Sequence, residues 1–363
     1  MNHYYSDYGR AVVEINKLYM KERLHYLDVC KGLLILMVIW QHIPQFANWA
    51  SIDSSIIENC GGVSWLFWGF YMQTFFLTNG YTSNFKKDFR PFFSGSFKAL
   101  IIPYIAFALI GKCLNALIWG ESDLWEKTAG GDQEWFFMEE SYWFLSALFI
   151  ARILYWFLCR YIKKEFNRGI VAFSIMLLGF FLNHVYDGLS IDAAHFNNHL
   201  HYRNALCMMI FIWVGEYLKN HKDILYKYSY IISIVYIVFV IGTHLIGKAC
   251  APPYTHVTGI LFRQIPLYIF YATSGSIFVL WLSKKINTNR VFEYLGRGSL
   301  VVYMTHFAYL RLVLKLLPTI LNPYGLFSGI SFYLITFILT AAFSAATIWV
   351  FNHKYLRLLI GKF

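Results

Sequence analysis

Ten apolar runs, each about as long as a bilayer is thick, alternate with short polar turns along this 363-residue chain. No other feature restricts its folding as strongly. A helix rises about 1.5 Å per residue, so roughly 17 to 25 apolar residues cross the hydrocarbon core. The runs lie near 27–46, 63–83, 97–119, 142–159, 169–186, 204–218, 228–247, 266–283, 299–317 and 328–351. Charge content agrees: 14% of residues are charged, against about 25% in soluble domains. The 12 Trp and 27 Tyr suit membrane interfaces. The expected fold is all-α, a polytopic membrane protein with about ten transmembrane helices.

Sidedness follows from the basic residues. Alternate connections carry Arg10, Lys17, Lys21 and Arg23; Lys86, Lys87, Arg90 and Lys98; Arg160, Lys163, Lys164 and Arg168; Lys219, Lys222 and Lys227; Lys284, Lys285, Arg290 and Arg297; and Lys354, Arg357 and Lys362. The intervening loops hold only Lys127, Arg203, Lys248 and Arg263. Basic loops stay cytoplasmic, so both termini are expected in the cytoplasm. The net charge of +11 then reflects topology. With no groove-reading motif it excludes nucleic acid and points to anionic lipid or an anionic cytosolic ligand.

Residues 1–24 read as a cytoplasmic N-terminal segment and 25–363 as a single transmembrane domain. No small-residue cleavage site follows the first apolar run, so the first span is expected to be retained. The six cysteines show no metal spacing; Cys60 and Cys250 fall in loops on the same side and can pair. His195 and His199 share a helical spacing, but their surroundings carry no supporting pattern, and no metal is expected.

The first span, "YLDVCKGLLILMVIWQHIPQF", carries Asp28, Lys31 and His42. At about 100° per residue the three project in roughly one direction, with His42 about 21 Å above Asp28. Ionisable groups avoid lipid, so that face looks into the protein or a wet cavity. Asp28 and Lys31 can form a structural ion pair or shape an entrance. His42 can be a satisfied core residue or a general base, since neutral imidazole accepts a hydroxyl proton near neutrality.

These residues carry a resemblance. "YLDVCKGLLILMVIWQHIP" resembles the first span of the acyltransferase-3 family, membrane-bound O-acyltransferases that modify surface carbohydrates; Lys31 and His42 match its basic residue, ten intervening residues and His. In order follow "FYMQTFFLTNGYTSNF", similar to an FF-x-L-S-G-Y block, then "FKALIIPY", "YWFLSALFI" and "LGRGSLVVYMTHFAYL". Two departures are visible. Thr78 and Asn79 replace the usual pair before Gly80, and Gly95 sits where the first of two arginines is expected, with Lys98 standing for the second.

The resemblance implies acetyl-CoA or another acyl-CoA as cytoplasmic co-substrate and a carbohydrate or glycolipid hydroxyl as acceptor. It implies residence in the cell membrane, bacterial and cytoplasmic in type. His42 is then the expected catalytic base. Lys31, Lys98, Arg90 and Arg297 are candidates for donor phosphate, which Lys and Arg bind by charge-assisted hydrogen bonds. His306 is a candidate donor contact or a structural hydrogen bonder. Asp28 and Trp143 are expected to be structural or orienting, Trp143 as an interface anchor. The acidic, aromatic loop 120–141 suits a sugar or is simply solvated. The rival class is a small-molecule or glycolipid transporter, in which more charge is expected at mid-membrane than Lys112, Arg152 and the first-span set.

Overall fold

The first apolar run forms helix α1, His25–Trp49, with Pro44 inside it. A proline has no N–H for the carbonyl four residues back, which is that of Trp40. In the computed structural model the Tyr333 hydroxyl donates to that carbonyl at 2.7 Å, and the rings of Trp40 and Tyr333 lie 4.6 Å apart. A neighbouring helix thus satisfies what the proline leaves open, as membrane interiors require. The structure describes residues 24–49, 52, 62–119, 142–187, 199–245, 264–321 and 326–362.

The remaining helices are α2 (Tyr71–Thr82), α3 (Phe89–Ser96), α4 (Ile102–Trp119), α5 (Trp143–Tyr161), α6 (Glu165–Asp187), α7 (Tyr202–Asn220), α8 (Lys222–Lys227), α9 (Ser229–Leu245), α10 (Ile265–Ile286), α11 (Arg290–Arg297), α12 (Ser299–Leu316) and α13 (Leu326–Phe351). A π-helical turn, Phe97–Ile101, joins α3 to α4 in one rod. No strand occurs among the described residues.

Every expected span contains a helix, but among the described residues seven helices are long and apolar enough to cross a membrane by length and composition. The second expected span keeps only the twelve residues of α2, because Ser64–Leu66 is a short 3₁₀ turn. Helix α9 is 17 residues long. Helix α7 is long enough but polar, with Arg203, Asn204, Glu216 and Lys219 in its sequence. Those polar groups turn inward: Arg203 and Asn204 are buried, and Glu216 accepts hydrogen bonds from Arg168 Nη2 at 3.1 Å and Tyr155 Oη at 2.6 Å. This cluster ties α5, α6 and α7 together.

Two pairs of glycines let backbones meet, the packing mode typical of membrane helices. A Cβ on Gly80 of α2 would strike the Ile212 carbonyl of α7, and one on Gly215 of α7 would strike the Leu77 carbonyl of α2. In the same way Gly32 of α1 faces the Phe292 carbonyl, and Gly296 of α11 faces the Asp28 carbonyl. Helix α11 is started by Asn289, whose side chain accepts from the N–H groups of Val291 and Phe292 at 3.0 and 3.1 Å. The contact fixes α11 against the first half of α1.

A charged hydrogen bond closes that junction. His25 Nδ1 donates to Glu293 Oε2 at 2.9 Å, which holds the Glu293 carboxyl below the usual carboxylate range. A lowered carboxyl pKa stabilises the fold fully above the ordinary value and loses that contribution as pH falls through the lowered one. Thermal unfolding between neutral and acid pH should therefore show a steeper acid loss in the wild type than in Glu293→Gln. Equal acid slopes would show that the bond contributes nothing to stability.

Candidate functional site

The polar face of α1 meets the middle of α12. His42 and His306 lie with ring centroids 5.1 Å apart, and the Phe307 ring touches both, at 4.8 Å from His42 and 4.1 Å from His306. Each Nδ1 faces a carbonyl of its own helix. For His42 it is Val38 O at 2.7 Å; for His306 it is Tyr303 O at 2.7 Å, with Val302 O at 3.2 Å. A carbonyl only accepts, so Nδ1 carries the hydrogen in both rings, and in the neutral form Nε2 is the accepting nitrogen. His306 is fully buried, and its Nε2 has no hydrogen-bond partner among the described residues.

Below the pair runs a cavity of about 220 Å³. Its wall takes Lys31 and Ile35 from α1, Thr78, Asn79 and Thr82 from α2, Ala99 and Leu100 from the π turn, Phe144, Leu145 and Leu148 from α5, and Ser299, Leu300 and Tyr303 from α12. Tyr303 connects cavity and histidines: it lines the former, and its ring lies 5.9 Å from that of His306. All five sequence blocks singled out above thus meet the cavity directly, and the first supplies both Lys31 and His42. Irregular helical turns of the π type recur at functional sites because they redirect side chains without ending the helix.

The expected residues fare differently. Lys31 is in the cavity wall, and His42 and His306 stand together beyond Tyr303. Lys98 and Arg297 are exposed, near the lining residues Ala99 and Ser299 but not lining the cavity themselves. Arg90 is exposed on α3, and neither it nor its sequence neighbours reach the cavity. Asp28 is buried, its carbonyl beneath Gly296. Trp143, expected as an interface anchor, is instead 5% exposed in the core beside Phe144, 6.2 Å ring to ring. It starts α5 on the inner face, where packing claims the indole.

Some residues acquire a place only in three dimensions. Asn79 lines the cavity and is held by Arg152 of α5 at 2.5 Å. A lone cation inside an apolar run was the available signal for Arg152, but its partners come from α2 and α3. The pair Cys60 and Cys250, loop 120–141 and the His195–His199 spacing reach outside the described residues.

No curated protein and no solved structure matches the chain. The sequence model of the acyltransferase-3 family, described as an acyltransferase domain, matches residues 24–349, a stretch that holds the histidine pair and the whole cavity wall. The chain therefore belongs to the acyltransferase-3 family and is an integral, multi-pass membrane acyltransferase that transfers groups other than amino-acyl groups.

Proposed function

We propose that this protein transfers an acyl group, acetyl in the first instance, from cytoplasmic acyl-CoA to a hydroxyl of a cell-surface or lipid-linked carbohydrate. The observation that carries this reading is the pair of imidazoles, 5.1 Å apart, standing next to Tyr303 of a cavity that has Lys31 in its wall. Lys31 and His42 are eleven residues apart on one helix, so about 16 Å separates them along its axis. A pantetheine arm can bridge such a gap, with phosphate near Lys31 and thioester near His42. The chain crosses the membrane at all ten apolar runs in this reading, with both termini cytoplasmic and the basic turns at the donor side.

The chemistry is one addition and one elimination. The acceptor oxygen attacks the thioester carbonyl carbon while His42 Nε2 takes its proton. The tetrahedral intermediate then collapses, the C–S bond breaks, and the imidazolium returns the proton to the departing thiolate. Holding Nδ1 on Val38 O keeps the ring in the tautomer this needs. His306 Nε2 offers a second acceptor for the incoming hydroxyl.

Acyl-labelled acetyl-CoA supplied to the purified protein in nanodiscs, with surface glycan material as acceptor, tests the proposal. Mass spectrometry should find ester-linked acetyl on carbohydrate only when the protein is present, with free CoA released in equal amount. Glycolipid that crosses the bilayer without gaining an acyl group would favour the transporter reading and overturn this one.

A further inference from the structure

Arg152 is an interior cation held by neutral oxygens. From the middle of α5 its Nη1 donates to Asn79 Oδ1 at 2.5 Å and Ser83 Oγ at 2.9 Å, and its Nε donates to Ser96 Oγ at 3.2 Å. Its guanidinium also lies over the Phe92 ring, 5.1 Å from the centroid. No carboxylate pairs with it among the described residues. A desolvated charge without a counter-ion is destabilising, so its field is available to an anion brought from outside.

Asn79 shows where that field is directed. Ser83 Oγ donates to the same Oδ1 at 3.1 Å, so two donors converge on that oxygen and the amide cannot turn over. Its Nδ2 group has no hydrogen-bond partner among the described residues, and Asn79 stands in the cavity wall with Lys31. No Asp or Glu lines the cavity. A locked amide donor with a guanidinium behind it, in a cavity wall that also holds Lys31, is a receptor for an anionic oxygen.

We propose that Asn79 is a specificity-determining residue of the cavity, its Nδ2 hydrogens binding a phosphate oxygen of the acyl-CoA donor, and that Arg152 is the positioning residue that locks it. This rests on the cavity being the donor site. It concerns a position where the chain departs from the block it otherwise resembles, Asn79 before Gly80.

Calorimetric titration of CoA into the purified full chain in nanodiscs tests it. Asn79→Asp puts an anion where the donor was and should weaken CoA binding at least tenfold. The thermal midpoint should hold or rise, because Asp at that position gains an ion pair with Arg152. Arg152→Gln should weaken CoA several-fold, and Arg152→Lys, which keeps the charge but not the two-nitrogen fork, should fall between. In turnover, Asn79→Asp should raise KM for acyl-CoA and leave KM for acceptor unchanged. Inorganic pyrophosphate should compete with CoA on the wild type and fail to do so on Asn79→Asp. CoA affinity unaffected by Asn79→Asp, an equal rise in both KM values, or pyrophosphate that does not compete would each overturn the assignment while leaving the donor reading standing. A wild-type protein that binds no CoA would overturn both.

Discussion

Replacing His42 by glutamine should leave the protein folded in the membrane and cut its turnover at least about 10²-fold, the usual contribution of general base catalysis. Glutamine keeps the length of the side chain and can still donate to the Val38 carbonyl, 2.7 Å from Nδ1 in the wild type. It cannot take up a proton and return it. His42→Ala should be as poor, and donor affinity should be nearly unchanged in both, since the ring lies beyond Tyr303 and not in the cavity wall. The measurement is acyl transfer per mole of purified protein, with CoA binding followed separately. A glutamine variant within tenfold of wild type would remove His42 from the chemistry and leave it a helix-bonded core residue.

The second large effect is on stability. Gly80→Ala places a methyl group against the Ile212 carbonyl of α7. Because that obstacle is backbone, α2 and α7 must separate, and overpacking of this kind costs about 1–3 kcal/mol. Gly215→Ala acts on the same interface from the other side, so the double variant should lose less than the sum of the two. Gly95→Ala and Gly242→Ala are the matched controls: a Cβ there meets nothing within 4 Å, and alanine in a helix is favoured over glycine by roughly 0.5–1 kcal/mol. Thermal midpoints in one detergent should drop for the first pair and hold or rise for the second. If all four variants melt together, close backbone contact at the α2–α7 seam is not what stabilises it. The seam matters to function because α2 carries Thr78, Asn79 and Thr82 into the cavity.

Much of this protein was legible from the chain alone. Apolar run length determines helices in a medium where backbone groups must satisfy each other, and helices occur in all ten runs. The spacing of Lys31 and His42 along one helix is set by the rise per residue and needs no tertiary information. What the sequence left open depended on neighbours. Whether Trp143 faces lipid or core is decided by which side of α5 meets its partners, and one indole suits either. His306 reads in sequence as a donor contact or a structural hydrogen bonder, and only α12 lying against α1 brings its ring 5.1 Å from His42. Pro44 predicts an orphan carbonyl, but only the fold shows Tyr333 answering it. The roles of Asn79 and Arg152 were equally hidden, because a guanidinium's partners lie 73, 69 and 56 positions away in the chain. Local periodicity determined the helices; contacts between distant segments, made where glycines let backbones touch, decided which polar groups share one cavity.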